Sequence, residues 1–149
     1  MKIRFAHVNI VSSDWRALAE FYQKVFHCKI VPPVRKQSGD WLEKGTGLTN
    51  ASLEGAHLLL PGHGEKGPTL EIYQYGKVEE QAAVAPNKRG FGHIAFEVEN
   101  VEEITKAVLK NGGESFGEIT KRKVEGVGEL TFVYLRDPEG NLIEVQSWK

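Results

Sequence analysis

The stretch FAHVNIVSSDW beginning at Phe5 returns as FGHIAFEVENV beginning at Phe91. Each copy is a short alternating apolar run with a histidine third in line, and each leads into a helical pattern. At a single offset of 86 positions Phe5 meets Phe91, His7 meets His93, Val8 meets Ile94, Asp14 meets Asn100 and Leu18 meets Ile104. Strand, helix cap and helix stripe align together, so the chain is an internal repeat whose halves must build the same unit. Toward the end of each half LEIYQ (Leu70 to Gln74) resembles IEVQS (Ile143 to Ser147), which sets Glu71 against Glu144 at an offset of 73. The smaller offset assigns the first half a longer insertion, at PGHGEKGP.

The order of local signals is also the same in both halves. In the first, Arg4 to Val11 alternates as a strand, Ser12, Ser13 and Asp14 offer helix caps, and Leu18, Phe21, Tyr22 and Val25 form one helical stripe. Lys29 to Val31 reads as a strand stopped by Pro32 and Pro33. Trp41 to Leu42, Leu48 to Leu53, His57 to Leu60 and Thr69 to Tyr75 are further strand candidates. In the second half Asn100 and Glu103 make a capping-box pattern, Val101, Ile104 and Val108 supply the stripe, and Asn111, Gly112 and Gly113 mark its end. Ser115 to Ile119, Leu130 to Leu135 and Asn141 to Ser147 follow as strands, the last after a turn at Asp137-Pro138-Glu139-Gly140. These readings predict an α+β fold within one domain of 149 residues, each half a strand, a helix and three or four further strands. Module one covers about 4–76, the linker about 77–89 and module two about 90–148.

Composition excludes several classes. Hydrophobic residues make up 40% and charged residues 26%, an ordinary globular balance with neither disorder nor fibrous character. A formal net charge of −1 gives no global field for nucleic acid or an anionic membrane. No apolar run approaches a bilayer span, and MKIRFAHV enters a strand pattern without a secretory h-region, so the expected location is the cytoplasm. The single cysteine, Cys28, cannot form an internal disulfide and reads as a buried structural thiol.

Strand alternation decides which side chains share a face. Val8 and Ile10 lie opposite His7, and Ile94, Phe96 and Val98 lie opposite His93. Leu70 and Ile72 oppose Glu71, while Ile143 and Val145 oppose Glu144. The apolar faces take the helices, so one histidine and one glutamate are expected on the other face of each sheet. Nitrogen and oxygen donors of this kind suit Zn, Ni, Co, Mn or Fe(II) and do not form a thiolate structural site. His57, in an apolar strand, and His63, in a glycine-rich loop, have no partner in the second half and are read as structural or substrate-side residues.

The motifs FAHVNIVSSDWRALAEFY, PTLEIYQY, GFGHIAFEV and RDPEGNLIEVQ together resemble the vicinal oxygen chelate superfamily, also called the glyoxalase, bleomycin-resistance and dioxygenase family. The resemblance runs from Phe5 to Ser147. It implies two βαβββ modules forming a cupped sheet of mixed and antiparallel strands around one divalent metal ion per site, commonly in a homodimer acting on a small-molecule substrate. The ligands it implies are His7, Glu71, His93 and Glu144, with Zn2+ or Ni2+ ahead of Mn2+, Co2+ and Fe2+. Four protein ligands resemble the glyoxalase I pattern more than the two-histidine, one-glutamate pattern of the dioxygenases and fosfomycin thiol transferases. The activity implied is a lyase or isomerase that abstracts a proton next to a carbonyl, the metal stabilising the enediolate. Glu71 or Glu144 is then the catalytic base.

The chain departs from that pattern in places. His7 is followed by Val8-Asn9-Ile10-Val11 where glyoxalase I of bacterial type carries an arginine that holds glutathione, and Gln74 stands where an asparagine is usual. Asn50 replaces the acidic base that an epimerase of this scaffold carries on a middle strand. By parity, Asn9 goes with His7, Tyr73 with Glu71 and Gln146 with Glu144, which makes these residues candidates for substrate contact. Lys121, Arg122 and Lys123 form a basic cluster expected in a loop before ELTFVYL, where it would clamp an anionic tail.

Overall fold

The computed structural model describes residues 2–149, and the chain divides into two compact units between Glu80 and Gln81. The first unit runs β1 (His7–Val11), α1 (Trp15–Phe26), β2 (Lys29–Ser38), α2 (Asp40–Thr46), β3 (Ser52–Leu59) and β4 (Thr69–Tyr75). Its sheet has the order β1-β4-β3-β2, with β1 parallel to β4 and the other pairs antiparallel.

Helix α1 starts where the sequence signals it. The Asp14 carboxylate accepts hydrogen bonds from the Arg16 and Ala17 amides, two donors that the helix itself leaves unpaired. Its buried stripe, including Leu18, Ala19, Tyr22 and Val25, lies over Ala56, Leu58, Leu70 and Ile72, all of which are fully buried on one face of the sheet. Each large aliphatic side chain here contributes about 1.5–3 kcal/mol of burial, so truncating Leu58 or Ile72 to alanine would cost about 2–5 kcal/mol.

The second unit runs β5 (Ile94–Glu97), α3 (Val101–Lys110), β6 (Glu114–Ser115), β7 (Thr120–Val124), β8 (Gly128–Arg136) and β9 (Leu142–Trp148). The order is β5-β9-β8-β6, with β7 also on β8. The Asn100 side chain caps α3 by accepting from the Glu103 amide, and Val101 and Val108 pack toward Val133, Leu135, Ile143 and Val145. The units match in register. Lys29 and Ile30 pair with Leu59 and Leu58 as Glu114 and Ser115 pair with Arg136 and Leu135, so β6 and β7 together are an interrupted β2.

Several elements differ from the sequence expectation. The first strand begins at His7 rather than Arg4. Trp41 and Leu42 belong to helix α2, whose first turn carries Asp40 and Glu43, favourable near the helix N-terminus. Leu48 to Ala51 lie before β3 and not in a strand, while Ser52 and Leu53 run on through His57 to Leu59 as that one strand. Pro32 and Pro33 do not end β2; the register shifts between Val31 and Arg35, leaving both prolines in a bulge where no ladder donor is needed. Among the described residues no helix is long and apolar enough to cross a bilayer.

Candidate functional site

In the first unit the sheet face away from α1 carries His7, Asn9, Glu71, His57 and Tyr73. Register places them: Asn9 pairs with Glu71 on β4, and Glu71 pairs with His57 on β3. Residues paired directly across a ladder project to the same side. His7 Nδ1 lies 3.3 Å from Glu71 Oε1, and His57 Nε2 lies 3.2 Å from the same oxygen. The other contact of His57 Nε2 is the Tyr73 hydroxyl, at 2.5 Å. Glu71 is buried, so this company is what makes a carboxylate tolerable there.

The environment acts on these groups in opposite directions. Burial lowers the His57 pKa and outweighs the nearby Glu71 charge, so the ring favours its neutral form. Burial, followed by the Glu71 charge, pushes the Tyr73 phenol up to about 12. Tyr73 therefore stays a neutral hydroxyl across the physiological range.

The second unit repeats the arrangement with one substitution. His93 Nε2 is 2.9 Å from Glu144 Oε2, and Ala95 pairs with Glu144 as Asn9 pairs with Glu71. Across the ladder from Glu144 stands Tyr134, where the first unit has His57 across from Glu71. The Tyr134 ring packs edge-on against His93 with centroids 5.0 Å apart. Burial first, then the charge and hydrogen bond of Glu144, raise its phenol.

The donor spacings bear on metal binding. Two ligands about 2.1 Å from one ion, on adjacent tetrahedral or octahedral corners, stand about 3.0–3.4 Å apart. The His7–Glu71 separation of 3.3 Å falls within that spacing and the His93–Glu144 separation of 2.9 Å just below it, and the donor set is of the type that borderline divalent ions take. Among the described residues no three His, Cys, Asp or Glu side chains converge as a ready cage. In the first unit His7 and His57 both reach the Glu71 carboxylate, and in the second His93 reaches Glu144.

The remaining candidates divide. Asn9 is on the expected face, with its amide donated to the Glu71 backbone carbonyl at 3.4 Å. Tyr73 is in the cluster. Gln146 shares the Glu144 face. Gln74 faces the helix side, where its Oε1 accepts from the Trp15 amide at 3.4 Å and steadies the start of α1. Asn50 lies in the turn before β3, at φ 55, and not on a middle strand. The basic cluster is not a loop. Lys121, Arg122 and Lys123 lie within β7, and only Arg122, paired with Leu130, shares the Glu144 face; Lys121 and Lys123 point to the other side. His63 lies in the exposed loop before β4, whereas His57, expected as a structural or substrate-side residue, touches Glu71 directly.

Comparisons with known proteins follow the same lines. The profile of the Glyoxalase/Bleomycin resistance protein/Dioxygenase superfamily matches residues 4–145. The lactoylglutathione lyase of Schizosaccharomyces pombe (strain 972 / ATCC 24843) is 28% identical over 151 aligned positions, covering 95% of this chain and 46% of that protein. The chain thus spans about half the length of that curated relative. Among solved structures, a glyoxalase family protein from Bacillus cereus matches with a TM-score of 0.84 at 21% identity, covering 99% of this chain and 95% of that one. The fosfomycin resistance protein FosX from Listeria monocytogenes matches at 0.63 and 20% identity, covering 100% and 96%. These structural likenesses are likenesses of fold. With the profile match running through both units, the chain belongs to the Glyoxalase/Bleomycin resistance protein/Dioxygenase superfamily.

Proposed function

We propose that the chain is a metal-dependent lyase or isomerase of the glyoxalase type, acting by proton abstraction next to a carbonyl of a small oxygenated or thiol-conjugated substrate. The observation that carries this reading is the doubled His–Glu pair: in each unit the histidine stands two residues before the residue paired with the glutamate. Nothing in packing a βαβββ unit demands that pair twice on the face away from the helix. His7, Glu71, His93 and Glu144 are the ligands we assign to a divalent metal, with Zn2+ or Ni2+ ahead of Mn2+, Co2+ and Fe2+. The lactoylglutathione lyase relative supports the lyase class.

When bound, the metal supplies Lewis-acid stabilisation of the negative charge that develops beside the abstracted proton. The protein's own share is to move that proton and hold the acceptor in place. Two imidazoles contact Glu71, while only one contacts Glu144 among the described residues. The less tethered Glu144 is therefore our choice for the carboxylate that travels with the proton, and Glu71 for the fixed one. A drug-binding module without chemistry on the same fold would have no use for the paired donors.

The deciding experiment is metal analysis of the purified protein by mass spectrometry, repeated on Glu71→Ala, followed by assays on hemithioacetals with the metal found. The expected result is about one divalent ion per chain, lost or sharply weakened in the variant. A wild type that stays metal-free after reconstitution with Zn, Ni, Mn and Fe would overturn the enzyme reading.

A further inference from the structure

On the Glu71 face of the first unit β2 places two cations that the metal and the proton do not use: Lys29, exposed opposite Leu59, and Arg35, half-buried. After its bulge, β2 resumes with Arg35 opposite Gly55, and Gly55 is opposite Tyr73, so Arg35, Gly55 and Tyr73 form one row across three strands. The next row holds His57 and Glu71. The middle position of the Arg35 row has no side chain. A Cβ on Gly55 would come within 2.6 Å of Tyr73 Cδ1, so the glycine is what lets the phenol ring lie over β3 toward the arginine.

Arg35 has the wrong partners for a structural cation. Its neighbour Lys36 turns to the opposite face and meets Glu54 at 3.2 Å, where Arg16 also ends, at 3.6 Å. Among the described residues Arg35 forms no ion pair with a carboxylate; its Nη1 donates to the Pro33 backbone carbonyl. The side chain is half-buried in the row that holds Tyr73, one row along from His57 and Glu71. A guanidinium has five donors in a planar fork that matches an oxyanion bidentately. Here the fork is held beside the candidate site with no acid opposite it.

We propose that Arg35 is the specificity residue of this site and receives an oxyanion group of the substrate, a carboxylate or a phosphonate. The inference rests on the reading that the His7–Glu71 face is the reaction site, and it narrows the substrate class to small anions.

The test is titration of the purified protein with benzoate, phenylphosphonate and neutral benzamide, followed by nuclear magnetic resonance of the histidine and tyrosine signals. Wild type, Arg35→Gln and Arg35→Lys are compared, with metal content and thermal melting measured on each. The expected result is that at least one anion perturbs the His57 and Tyr73 signals of wild type while benzamide does not. Its affinity falls about tenfold or more in Arg35→Gln and is partly kept in Arg35→Lys. The two anions tell a carboxylate site from a phosphonate site. Equal anion affinity in wild type and Arg35→Gln, equal binding of benzamide, or no anion binding at millimolar concentration overturns the assignment. Loss of discrimination with metal content intact is the expected signature of Arg35. Discrimination that survives in a protein holding no metal would sink the lyase reading and leave the anion site standing.

Discussion

His57 in the first unit occupies the ladder position that Tyr134 occupies in the second, each directly across from its unit's glutamate. His57 Nε2 lies 3.2 Å from its carboxylate, and burial, followed by the charge of Glu144, raises the Tyr134 phenol. Groups that hold a ligand in orientation typically change metal affinity by about 10- to 100-fold when removed. His57→Ala is expected to weaken divalent-metal affinity by that order, and His57→Tyr, which restores the second unit's chemistry, by less. Competition against a chelating dye measures both. Equal affinity in wild type and His57→Ala would show that the imidazole does not steady Glu71.

Gly55 is the tightest site on the same face. A Cβ there would press on the Tyr73 ring at 2.6 Å and run into the Ile72 carbonyl, and a carbonyl inside a ladder cannot move aside cheaply. Gly55→Ala should destabilise by about 1–3 kcal/mol. Adding Tyr73→Ala removes the ring contact but not the carbonyl contact, so the double variant, compared with Tyr73→Ala alone, should recover the ring's share and keep the carbonyl's. Denaturant midpoints at constant slope decide this. Full recovery in the double variant would place the whole conflict on the ring.

The sequence carried the repeat because matched residues are the same type at the same offset, as with His7 and His93 or Glu71 and Glu144. It could not carry the His57 relationship by identity, since the matched position holds a tyrosine. Parity was the usable signal: His57 alternates with the buried Ala56 and Leu58 and so faces the Glu71 side. Helix α2 was misread because two adjacent apolar residues, Trp41 and Leu42, look like a strand when the flanking turns hold glycine. Its acidic first turn and the Thr46 hydroxyl bonded back to the Leu42 carbonyl at 2.7 Å are helical features. Lys121 to Lys123 read as a loop on charge alone. Basic residues instead suit an exposed outer strand such as β7, where they oppose pairing with another chain.

Cys28 is buried, and burial pushes its thiol up to about 12. At pH 8 the thiolate fraction is then about one in ten thousand, so the folded protein should be almost inert to an aromatic disulfide reagent and react fully once unfolded in guanidinium. The linkage has a definite sign. A folded pKa above the unfolded one leaves stability untouched below about pH 8.5 and erodes it as pH rises toward the folded value. Cys28→Ala should therefore show a smaller fall in stability between pH 9 and 11 than wild type, measured by urea denaturation. Rapid labelling of the folded wild type at pH 8 would contradict the burial.

Asp137 sets the turn that feeds β9. It is buried, with Oδ1 accepting from the Glu139 and Asn141 amides, each at 2.9 Å, and Oδ2 from the Asn141 side-chain amide at 2.8 Å. Gly140 closes the turn at φ 86, its amide on the Asp137 carbonyl, and the Arg136 guanidinium bonds the Gly140 and Val84 carbonyls. Asp137→Ala strips an ionised acceptor from three donors at once, at about 1 kcal/mol or more for each, so a loss of about 3 kcal/mol is expected. Asp137→Asn keeps Oδ1 but sets one amide against another at Asn141 and should lie between. Because the β8–β9 register places Tyr134 across from Glu144, Asp137→Ala should also weaken metal retention under mild chelation, before the unit unfolds. Chemical denaturation and metal analysis on the same samples separate the two effects. A variant within 0.5 kcal/mol of wild type would show that the turn forms without its carboxylate.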